Sequence, residues 1–366
     1  KGTINNSFGS IQWLVSTDGG NTWNPIPGST ASIYQTPALS MSSCYKAEIS
    51  GCNNIVYSSV ICVTVSPVPI ANFTATYVCF GTPTNFVNTS NNNGTTIANY
   101  SWDINNDGII DYNVPNFSHT FAIPGIYTSC LTLTTTDGCT NKVCKTVVVN
   151  PMPIADFTAN NVCDGLPVSF FNTSNILSGT IDVYDWQFGD GNTSNLVNPV
   201  HQYAGPGLYN VTITVTSDSG CTTSLTKTIQ IYANPSANFN APNKCLYDAV
   251  NFFDQSTVGN ASITTWNWNF GDNNTSNVQH PTHQYSFYNN YQVQLIVESS
   301  QGCKDTITKV VVVHPVPTAL FTANNVCLGE PTVFNNLSTI PQGNQTAQWY
   351  FGDGYNDNNY NTTHTY

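Results

Sequence analysis

The stretch Trp186-Gln-Phe-Gly-Asp190 lies in the middle of this 366-residue chain, and it recurs. The same Trp-x-Phe-Gly-Asp pattern begins at Trp268 and at Trp349, and an altered copy begins at Trp102. Beyond each copy, a histidine precedes an aromatic residue by two positions. These pairs are His119/Phe121, His201/Tyr203, His283/Tyr285 and His364/Tyr366. Self-similarity at a fixed period indicates a repeat architecture.

Each repeat restarts with a proline-containing segment that leads to a phenylalanine, followed six residues later by a cysteine. The phenylalanines are 84, 82 and 82 positions apart, and they are Phe73, Phe157, Phe239 and Phe321. The cysteines are Cys79, Cys163, Cys245 and Cys327. We therefore predict a partial module at residues 1–66, three complete modules at 67–150, 151–233 and 234–314, and a truncated fourth module at 315–366.

Alternation of apolar and polar residues with a period of two predicts that every module is built from strands. The segment Tyr209-Asn-Val-Thr-Ile-Thr-Val215 is typical, and Gly, Asn, Asp and Pro interrupt such segments at short, regular intervals. This spacing is characteristic of antiparallel β-sandwiches. Proline fixes φ and lacks a backbone donor, so the Pro-x-Pro joints favour extended linkers. The predicted fold is all-β: a tandem array of sandwiches joined by short proline-containing linkers.

These motifs together resemble the PKD (polycystic kidney disease) domain. The Trp-x-Phe-Gly-Asp turn, the His-x-Tyr pair, a Gly-x-Tyr and a Val/Thr-rich strand follow in fixed order over roughly residues 67–366. The resemblance implies seven-stranded, immunoglobulin-like sandwiches. Residues 1–66 differ, and resemble the Ig-like modules of large surface proteins of Bacteroidetes.

The charge of the chain limits its partners. Eight basic residues stand against twenty acidic ones, which gives a net charge of −12. Nucleic-acid phosphates and anionic lipids both attract basic patches, so neither is an expected partner. No apolar run reaches the roughly 18 residues of a membrane helix, so we expect no membrane span in this segment.

The twelve cysteines, tied to repeat positions, predict a disulfide framework. Within each complete module an early and a late cysteine lie at nearly the same separation, and this constancy predicts one bridge per module. Facing positions of the last hairpin predict two more bridges. The five predicted pairs are Cys44–Cys62, Cys79–Cys139, Cys130–Cys144, Cys163–Cys221 and Cys245–Cys303.

Cys52 and Cys327 have no partner in this scheme. Each occupies one half of a module whose other half is missing, as truncation of a longer series predicts. The alternative is a zinc site or a redox pair. No Cys-x-x-Cys occurs, and the histidines follow the strand repeat, so disulfides are the favoured interpretation.

One loop has the pattern of a calcium site. Oxygen-bearing side chains alternate around a glycine, as wrapping of Ca²⁺ requires, and they are Asp103, Asn105, Asp107 and Asp111. The pattern resembles the start of EF-hand and dockerin loops but lacks their glutamate at position twelve. The alternative is an Asx-rich turn. No other cofactor is expected.

No residue set predicts catalysis. A catalytic histidine is not usually copied in every repeat, so we interpret the four histidines as strand residues hydrogen-bonded near the tryptophans. Asp190, Asp272 and Asp353 recur equally and are expected to brace their turns. The motif tryptophans are expected to be core anchors, with a carbohydrate-stacking platform as the alternative.

The sequence therefore predicts an extracellular, non-enzymatic protein of the bacterial cell surface. The resemblance implies a repeat segment of a large stalk, adhesin or filament, like adhesins of gliding cells exported by type IX secretion. Its partners would be other modules of the same chain, a homo-oligomeric filament or surface polysaccharide. One alternative is a spacer or polysaccharide-binding accessory region of a secreted hydrolase, and a weaker one is an S-layer or cell-wall lattice protein.

Overall fold

The computed structural model describes residues 2–3 and 9–366, and it confirms the all-β fold class. Every regular element in these residues is a strand. A helix long and apolar enough for a bilayer is accordingly not found in that part of the chain. The strands fall into groups that follow the sequence repeat.

Residues 2–3 and 9–66 form a small antiparallel module. One sheet has the order β3-β2-β5-β6 with β7 also paired to β5, and β1 pairs with β4. Ile11, Trp13 and Ala47 form its buried centre. The strands are β1 Gly2–Thr3, β2 Ser10–Ser16, β3 Asn24–Pro25, β4 Ile33–Tyr34, β5 Ser43–Gly51, β6 Asn54–Tyr57 and β7 Ile61–Val63.

The first complete module is a sandwich of two sheets. Their orders are β12-β10-β8 and β11-β13-β14-β9. The last two strands form a long hairpin, and β9 pairs in parallel with the end of β14. The strands are β8 Phe73–Ala75, β9 Val78–Cys79, β10 Thr84–Asn88, β11 Ile97–Asp103, β12 Asn116–His119, β13 Gly125–Thr135 and β14 Thr140–Asn150.

The second and third modules repeat this arrangement with shorter outer strands. Their main sheets have the orders β16-β23-β22-β19-β20 and β25-β32-β31-β28-β29. The second module contains β15 Phe157–Thr158, β16 Val162–Cys163, β17 Val168–Ser169, β18 Phe171–Asn172, β19 Ile181–Gln187, β20 Thr193–Ser194, β21 Val200–His201, β22 Gly207–Ser217 and β23 Thr222–Tyr232. The third contains β24 Phe239–Asn240, β25 Lys244–Cys245, β26 Ala249–Asn251, β27 Phe253–Asp254, β28 Ile263–Asn269, β29 Thr275–Ser276, β30 Thr282–Gln284, β31 Asn289–Ser299 and β32 Lys304–His314.

Residues 315–366 contain the first strands of the same arrangement. A three-stranded sheet has the order β33-β34-β37, and β35 pairs with β36. The strands are β33 Phe321–Ala323, β34 Thr332–Asn336, β35 Trp349–Tyr350, β36 Asn356–Asp357 and β37 Thr362–His364.

The motif tryptophans are the centres of the module cores, as the sequence predicts. Trp102, Trp186 and Trp268 are almost completely buried, and each meets the restart phenylalanine of its module edge-on at 5.0–5.1 Å between ring centroids. Edge-to-face aromatic pairs are favoured by the ring quadrupoles. Each indole N–H also donates to a backbone carbonyl oxygen at 2.9 Å, so its polar atom is satisfied inside the core.

The glycine of the Trp-x-Phe-Gly-Asp turn is required by its surroundings. Gly189 has φ of +84°, and a Cβ there would lie 2.7 Å from the carbonyl oxygen of Asn210. Gly271 has φ of +82° and would place a Cβ 2.8 Å from the carbonyl oxygen of Gln292. Only glycine allows this backbone conformation beside so close a strand.

Backbone contacts group the chain into two compact units. The first contains residues 1–153, 176–181 and 216–222, and the second contains residues 154–175, 182–215 and 223–366. Two segments of the second module, its Ser217–Cys221 turn and residues 176–181, therefore pack within the same unit as the first module.

Candidate functional site: the module junctions and the Asp103 loop

Two bridges lie within single hairpins, and both are among the predicted pairs. Cys44 faces Cys62 across β5 and β7, and Cys130 faces Cys144 across β13 and β14. The structure joins each pair, with Cα–Cα distances of 3.9 and 4.0 Å. Directly opposed residues of antiparallel strands come this close, so the hairpin register produces these bridges.

The predicted bridges within the repeat, Cys79–Cys139, Cys163–Cys221 and Cys245–Cys303, do not form. The early cysteine is paired in parallel with the last residue of the final strand, as Cys79 is with Asn150. The late cysteine comes directly before the first residue of that strand, as Cys139 does before Thr140. An 11-residue strand spans about 33 Å. A disulfide needs Cα atoms within about 7 Å, so a bridge within the module is geometrically excluded.

The structure instead joins the early cysteines of the first two complete modules to the late cysteine of the module that follows. Cys79 bonds to Cys221 with a Cα–Cα distance of 5.7 Å, and Cys163 bonds to Cys303 at 5.6 Å. The sequence separations are 142 and 140 residues. Each of these junctions therefore has two covalent connections, the linker peptide and a disulfide.

Four cysteines of the described chain form no bridge. Cys52 and Cys327 are unpaired as predicted, while Cys139 and Cys245 are unpaired against prediction. Cys139 is half-buried, and its Sγ lies 3.8 Å from the carbonyl oxygen of Ser66. Cys245 is exposed.

The repeated histidines and aspartates pair with each other, which sequence reasoning missed. His201 Nε2 lies 2.7 Å from Asp190 Oδ2, and the same contact joins His283 to Asp272. His364 and Asp353 make it at 2.6 Å. The spacing along the chain between each aspartate and its histidine is the same in all three pairs, and this was a signal in the sequence. Each imidazole also stacks on the phenylalanine of the motif, at 4.1–4.3 Å between ring centroids.

The aspartates also brace their turns, as predicted. The other carboxylate oxygen of Asp190 accepts the backbone N–H of Asn192 at 3.0 Å. Burial alone would raise the pKa of Asp190, but hydrogen bonds from His201 and Asn192 outweigh it and hold the pKa below its ordinary value. The pKa of Asp272 is lowered in the same way, burial being opposed by His283 and Asn274. The carboxylates of Asp190 and Asp272 therefore hold the motif turns in place through hydrogen bonds.

The first module replaces this pair. His119 Nδ1 lies 2.9 Å from the hydroxyl oxygen of Tyr112, because Asp190 has no counterpart at its turn. Burial lowers the pKa of His119, and the nearby charge of Asp111 opposes this. The altered copy that begins at Trp102 thus keeps the histidine and changes its partner.

The Asp103 loop is closed by hydrogen bonds to its own backbone. Asp103 Oδ1 and Oδ2 accept the N–H groups of Asp107 and Gly108 at 3.1 and 3.0 Å. Asp111 Oδ2 accepts the N–H of Ile104 at 2.8 Å. Asn105 Oδ1 lies 3.4 Å from the Asp107 nitrogen.

The hydrogen bond from the Ile109 N–H and the one from Asn105 lower the pKa of Asp107. The loop therefore contains carboxylate oxygens of the kind that bind metal ions. However, within residues 2–3 and 9–366 no three acidic, histidine or cysteine side chains converge on one point. This geometry is that of an Asx-rich turn, and calcium binding stays a prediction.

The tryptophans at the motif are not placed as a carbohydrate platform in the complete modules, because their rings are buried. Trp349 of the last module is half-buried. The ring of Trp23 is covered by the ammonium group of Lys46, 4.2 Å from its centroid.

Comparison with known proteins agrees with this architecture. The PKD domain family matches residues 66–151, 150–233 and 232–315, more than half of the chain, and the chain belongs to this family. Residues 2–67 match a domain of unknown function (DUF8696). The match at 66–315 covers the three complete modules.

The relatives include a metalloprotease precursor, a collagenase and an isolated PKD domain. The pre-pro-metalloprotease PrtV of Vibrio cholerae is 31% identical over 170 residues, which is 46% of this chain and 18% of that protein. A microbial collagenase of Vibrio alginolyticus is 37% identical over 92 residues, 24% of this chain and 11% of the collagenase. The crystal structure of the PKD1 domain of Vibrio anguillarum Epp is 40% identical, with a TM-score of 0.21, covering 22% of this chain and 95% of that domain. The chain thus spans less than a fifth of the curated relatives' length.

Proposed function

We propose that this chain is a non-catalytic, extracellular spacer that holds a catalytic or binding domain of a longer secreted protein at a controlled distance. The observation that carries the proposal is the double covalent connection at each bridged junction, by the linker and by Cys79–Cys221 or Cys163–Cys303. A second connection restricts bending and twisting between neighbouring modules, whereas a single flexible linker would permit both.

The extracellular setting is supported by the cysteines and by the relatives. Disulfides persist in oxidising compartments. The similar regions belong to a metalloprotease precursor and collagenases, which favours an accessory region of a secreted hydrolase. Only 8% of the residues are charged, and such a weakly charged chain suits contact with an insoluble polymer substrate through many weak interactions.

A second candidate is a cell-surface stalk or adhesin, as in gliding bacteria with type IX secretion. The overlapping bridges favour it: the Cys163–Cys303 loop begins inside the Cys79–Cys221 loop. Such a series can continue from module to module without limit. Partners of this form would be other modules, a filament of copies or surface polysaccharide.

Calcium binding at the Asp103 loop is a separate proposal that rests on the sequence pattern. Ionised carboxylates have about four lone-pair directions, and each Asp103 oxygen accepts one backbone N–H. Free lone pairs therefore remain for a cation, and Asp103, Asn105, Asp107 and Asp111 would supply the oxygens.

The spacer role is tested by distances between the first and third modules. Fluorophores are attached through unnatural amino acids at the exposed positions Ile126 and Phe287. We expect a narrow distance distribution in the oxidised chain, and a broader one after Cys79→Ser with Cys163→Ser. The matched control, Cys130→Ser with Cys144→Ser, removes a hairpin bridge and should leave the distribution unchanged. Equal widths in all three proteins would contradict the spacer proposal.

Binding separates the two candidates. The oxidised chain is incubated with insoluble collagen, chitin and cellulose, and the bound fraction is measured. Retention on one polymer supports the accessory region of a hydrolase. Retention on none argues against the polymer-binding accessory region and favours the stalk.

A further inference from the structure

A cleft of about 380 Å³ lies in the first complete module, between the end of β10 and the start of β11. Small-ligand sites in proteins have volumes of roughly 300–1,000 Å³. None of the side chains around this cleft carries a charge. The residues that line it are Asn88, Ser90, Asn91, Asn92, Ile97 and Tyr100. The cleft therefore has the size of a small-ligand site and neutral walls.

The apolar wall of the cleft depends on a register shift in β11. Between Ile97 and Asn99 the strand contains one extra residue relative to its partner β13. Side chains alternate between the two faces of a regular strand, so Ile97 and Tyr100 would otherwise lie on opposite faces. The extra residue re-aims one of them, as bulges do, and both pack against the module core. The core therefore holds the Tyr100 ring in place beside the cleft.

The polar wall of the cleft consists of three asparagines that use their side-chain oxygens within the loop. Asn88 Oδ1 accepts the N–H of Ser90 at 3.1 Å and its hydroxyl at 2.5 Å. Asn91 Oδ1 and Asn92 Oδ1 each accept the backbone N–H two residues further on, at 2.9 and 3.3 Å. Within residues 2–3 and 9–366, the three amide nitrogens and the Tyr100 hydroxyl have no hydrogen-bond partner. The amide N–H groups are therefore available to a ligand.

The third module shows that these free donors are not required by the fold. By the repeat, Trp266 has the position of Tyr100, and Asp254 has that of Asn88. Trp266 Nε1 donates to Asp254 Oδ2 at 2.7 Å, so the aromatic ring is tied to the carboxylate. A threonine and a valine have the positions of the other two asparagines. The unbonded amide donors are therefore a property of the first module.

The walls of the cleft indicate the chemistry of its ligand. An ionic ligand finds no opposite charge there, and the net charge of −12 repels anions. The ligand needs several acceptor oxygens close together and an apolar surface for the tyrosine ring. A sugar ring has both, because oxygens surround its edge and C–H groups cover its faces.

A collagen-like peptide fits this wall less well. Its chain has the polyproline form, with three residues per turn and a rise of about 3.1 Å per residue. Successive carbonyl oxygens therefore point in different directions, and they cannot all reach donors that lie within one small cleft. The clustered amides favour a sugar over such a peptide.

We propose that this cleft binds a neutral sugar unit of a polysaccharide. The amide nitrogens of Asn88, Asn91 and Asn92 donate to the sugar oxygens in place of water. The Tyr100 ring packs against the C–H face of the sugar. That the sugar belongs to a polymer rests on the proposed accessory-region function, whereas binding of a free oligosaccharide does not.

Titration of the 1–366 chain, labelled with ¹⁵N on asparagine, tests the cleft by NMR. The probes are cellohexaose, N-acetylchitohexaose and a collagen-like Pro-Pro-Gly peptide. We expect the side-chain amide signals of Asn88, Asn91 and Asn92 to shift and saturate with at least one of the two oligosaccharides. Each signal is assigned from a variant that lacks it. Shifts with neither oligosaccharide, or with the peptide alone, would overturn the proposal.

Two double variants examine the two walls separately. Asn91→Asp with Asn92→Asp keeps the oxygens that accept backbone N–H groups and removes the amide donors, so the Kd should rise about tenfold or more. Asn88→Asp with Tyr100→Trp copies the pair found in the third module and should have the same effect. Asn99→Ala, next to Tyr100 but on the other face of β11, is the control and should leave the Kd unchanged. An unchanged Kd in either double variant would contradict the assigned contacts.

Retention of the same proteins on insoluble chitin and cellulose separates the cleft from the accessory role. Oligosaccharide binding without retention on either polymer would support the cleft and contradict the accessory-region function. Retention that survives in both double variants would support the accessory region and overturn the cleft as its binding site. We expect retention of the wild-type chain and of Asn99→Ala, and its loss in both double variants.

Discussion

The first and second modules share one fold but use their cysteines differently. The first has a bridge inside its last hairpin, Cys130–Cys144, in addition to its junction bridge. The second has none inside itself, since Cys163 and Cys221 both bond to neighbouring modules. Its packed core, centred on Trp186, therefore forms without an internal covalent link. The fold therefore does not require a disulfide inside the module, whereas the disulfide between neighbouring modules recurs.

The two modules also differ at the motif turn. The second couples Asp190 to His201, while the first substitutes the Tyr112–His119 contact and the longer Asp103 loop. The buried tryptophan and the stacked aromatic residues are common to both. The scaffold thus tolerates exchange of polar partners around a constant aromatic core.

The largest expected effect comes from the shared core. Trp186→Ala should destabilise the second module by about 3–5 kcal/mol, because a fully buried indole is lost and a cavity is left. Trp349→Ala is the matched control, and it should cost clearly less because Trp349 is half-buried. Hydrogen exchange of β22 and of β34 gives the local stabilities. Equal losses in the two variants would contradict the assignment of Trp186 as a core anchor.

The second prediction concerns the hairpin bridge Cys130–Cys144 of the first complete module, which has no counterpart in the second. Cys130→Ser combined with Cys144→Ser should cost the first module about 3 kcal/mol, the chain-entropy value for a closed loop of about 15 residues. The second module should keep its stability. Cys52→Ser, at an exposed unbonded position, is the control and should change nothing. Exchange rates in β13 and β22 provide the comparison, and an equal loss in both modules would argue against an isolated hairpin bridge.

The third prediction concerns the Asp190–His201 pair of the second module, which the first complete module lacks. Because the folded-state pKa of Asp190 is lowered, its carboxylate contributes stability that is present above the unfolded pKa of about 3.9 and is lost as the pH falls through the folded pKa. Asp190→Asn should therefore cost on the order of 1 kcal/mol at neutral pH. It should also flatten the loss of stability below about pH 4.

Thermal unfolding between pH 2 and 7 measures this effect. Asp185→Asn, at an exposed carboxylate of the same module, is the control. A profile for Asp190→Asn that still falls as steeply as the wild type would show that this pair does not contribute to acid stability.

The smallest expected effect is at the altered turn of the first module. Calcium at millimolar concentration should raise the melting temperature of the first module by a few degrees relative to EDTA, since weak binding to the folded state stabilises it by mass action. Asp103→Asn should abolish the increase. Identical melting temperatures with calcium and with EDTA would contradict calcium binding at the Asp103 loop.

The repeat made much of this molecule predictable. Periodic spacing predicted the modules, period-two alternation predicted the long hairpins, and the recurring tryptophans predicted the cores. Cys130 and Cys144 could be paired because they flank one turn symmetrically, which is a local relation.

The junction bridges could not be derived in this way. In a repeat, the separation of Cys79 from Cys139 recurs, but so does that of Cys79 from Cys221 in the next module. Constant spacing therefore cannot choose between them. The choice depends on a tertiary feature, the parallel pairing of Cys79 with the far end of β14, which no sequence period reports. The contact between Asp190 and His201 is also a tertiary feature, because it depends on how the chain after the turn leads into β21, the strand that contains His201.

Disulfide mapping of the 1–366 chain distinguishes bridges between modules from bridges within a module. The oxidised protein is alkylated, digested without reduction and analysed by mass spectrometry. We expect linked peptides that contain Cys79 with Cys221 and Cys163 with Cys303, and alkylated Cys139 and Cys245. Linked peptides that contain Cys79 with Cys139, or Cys163 with Cys221, would contradict the bridges between modules.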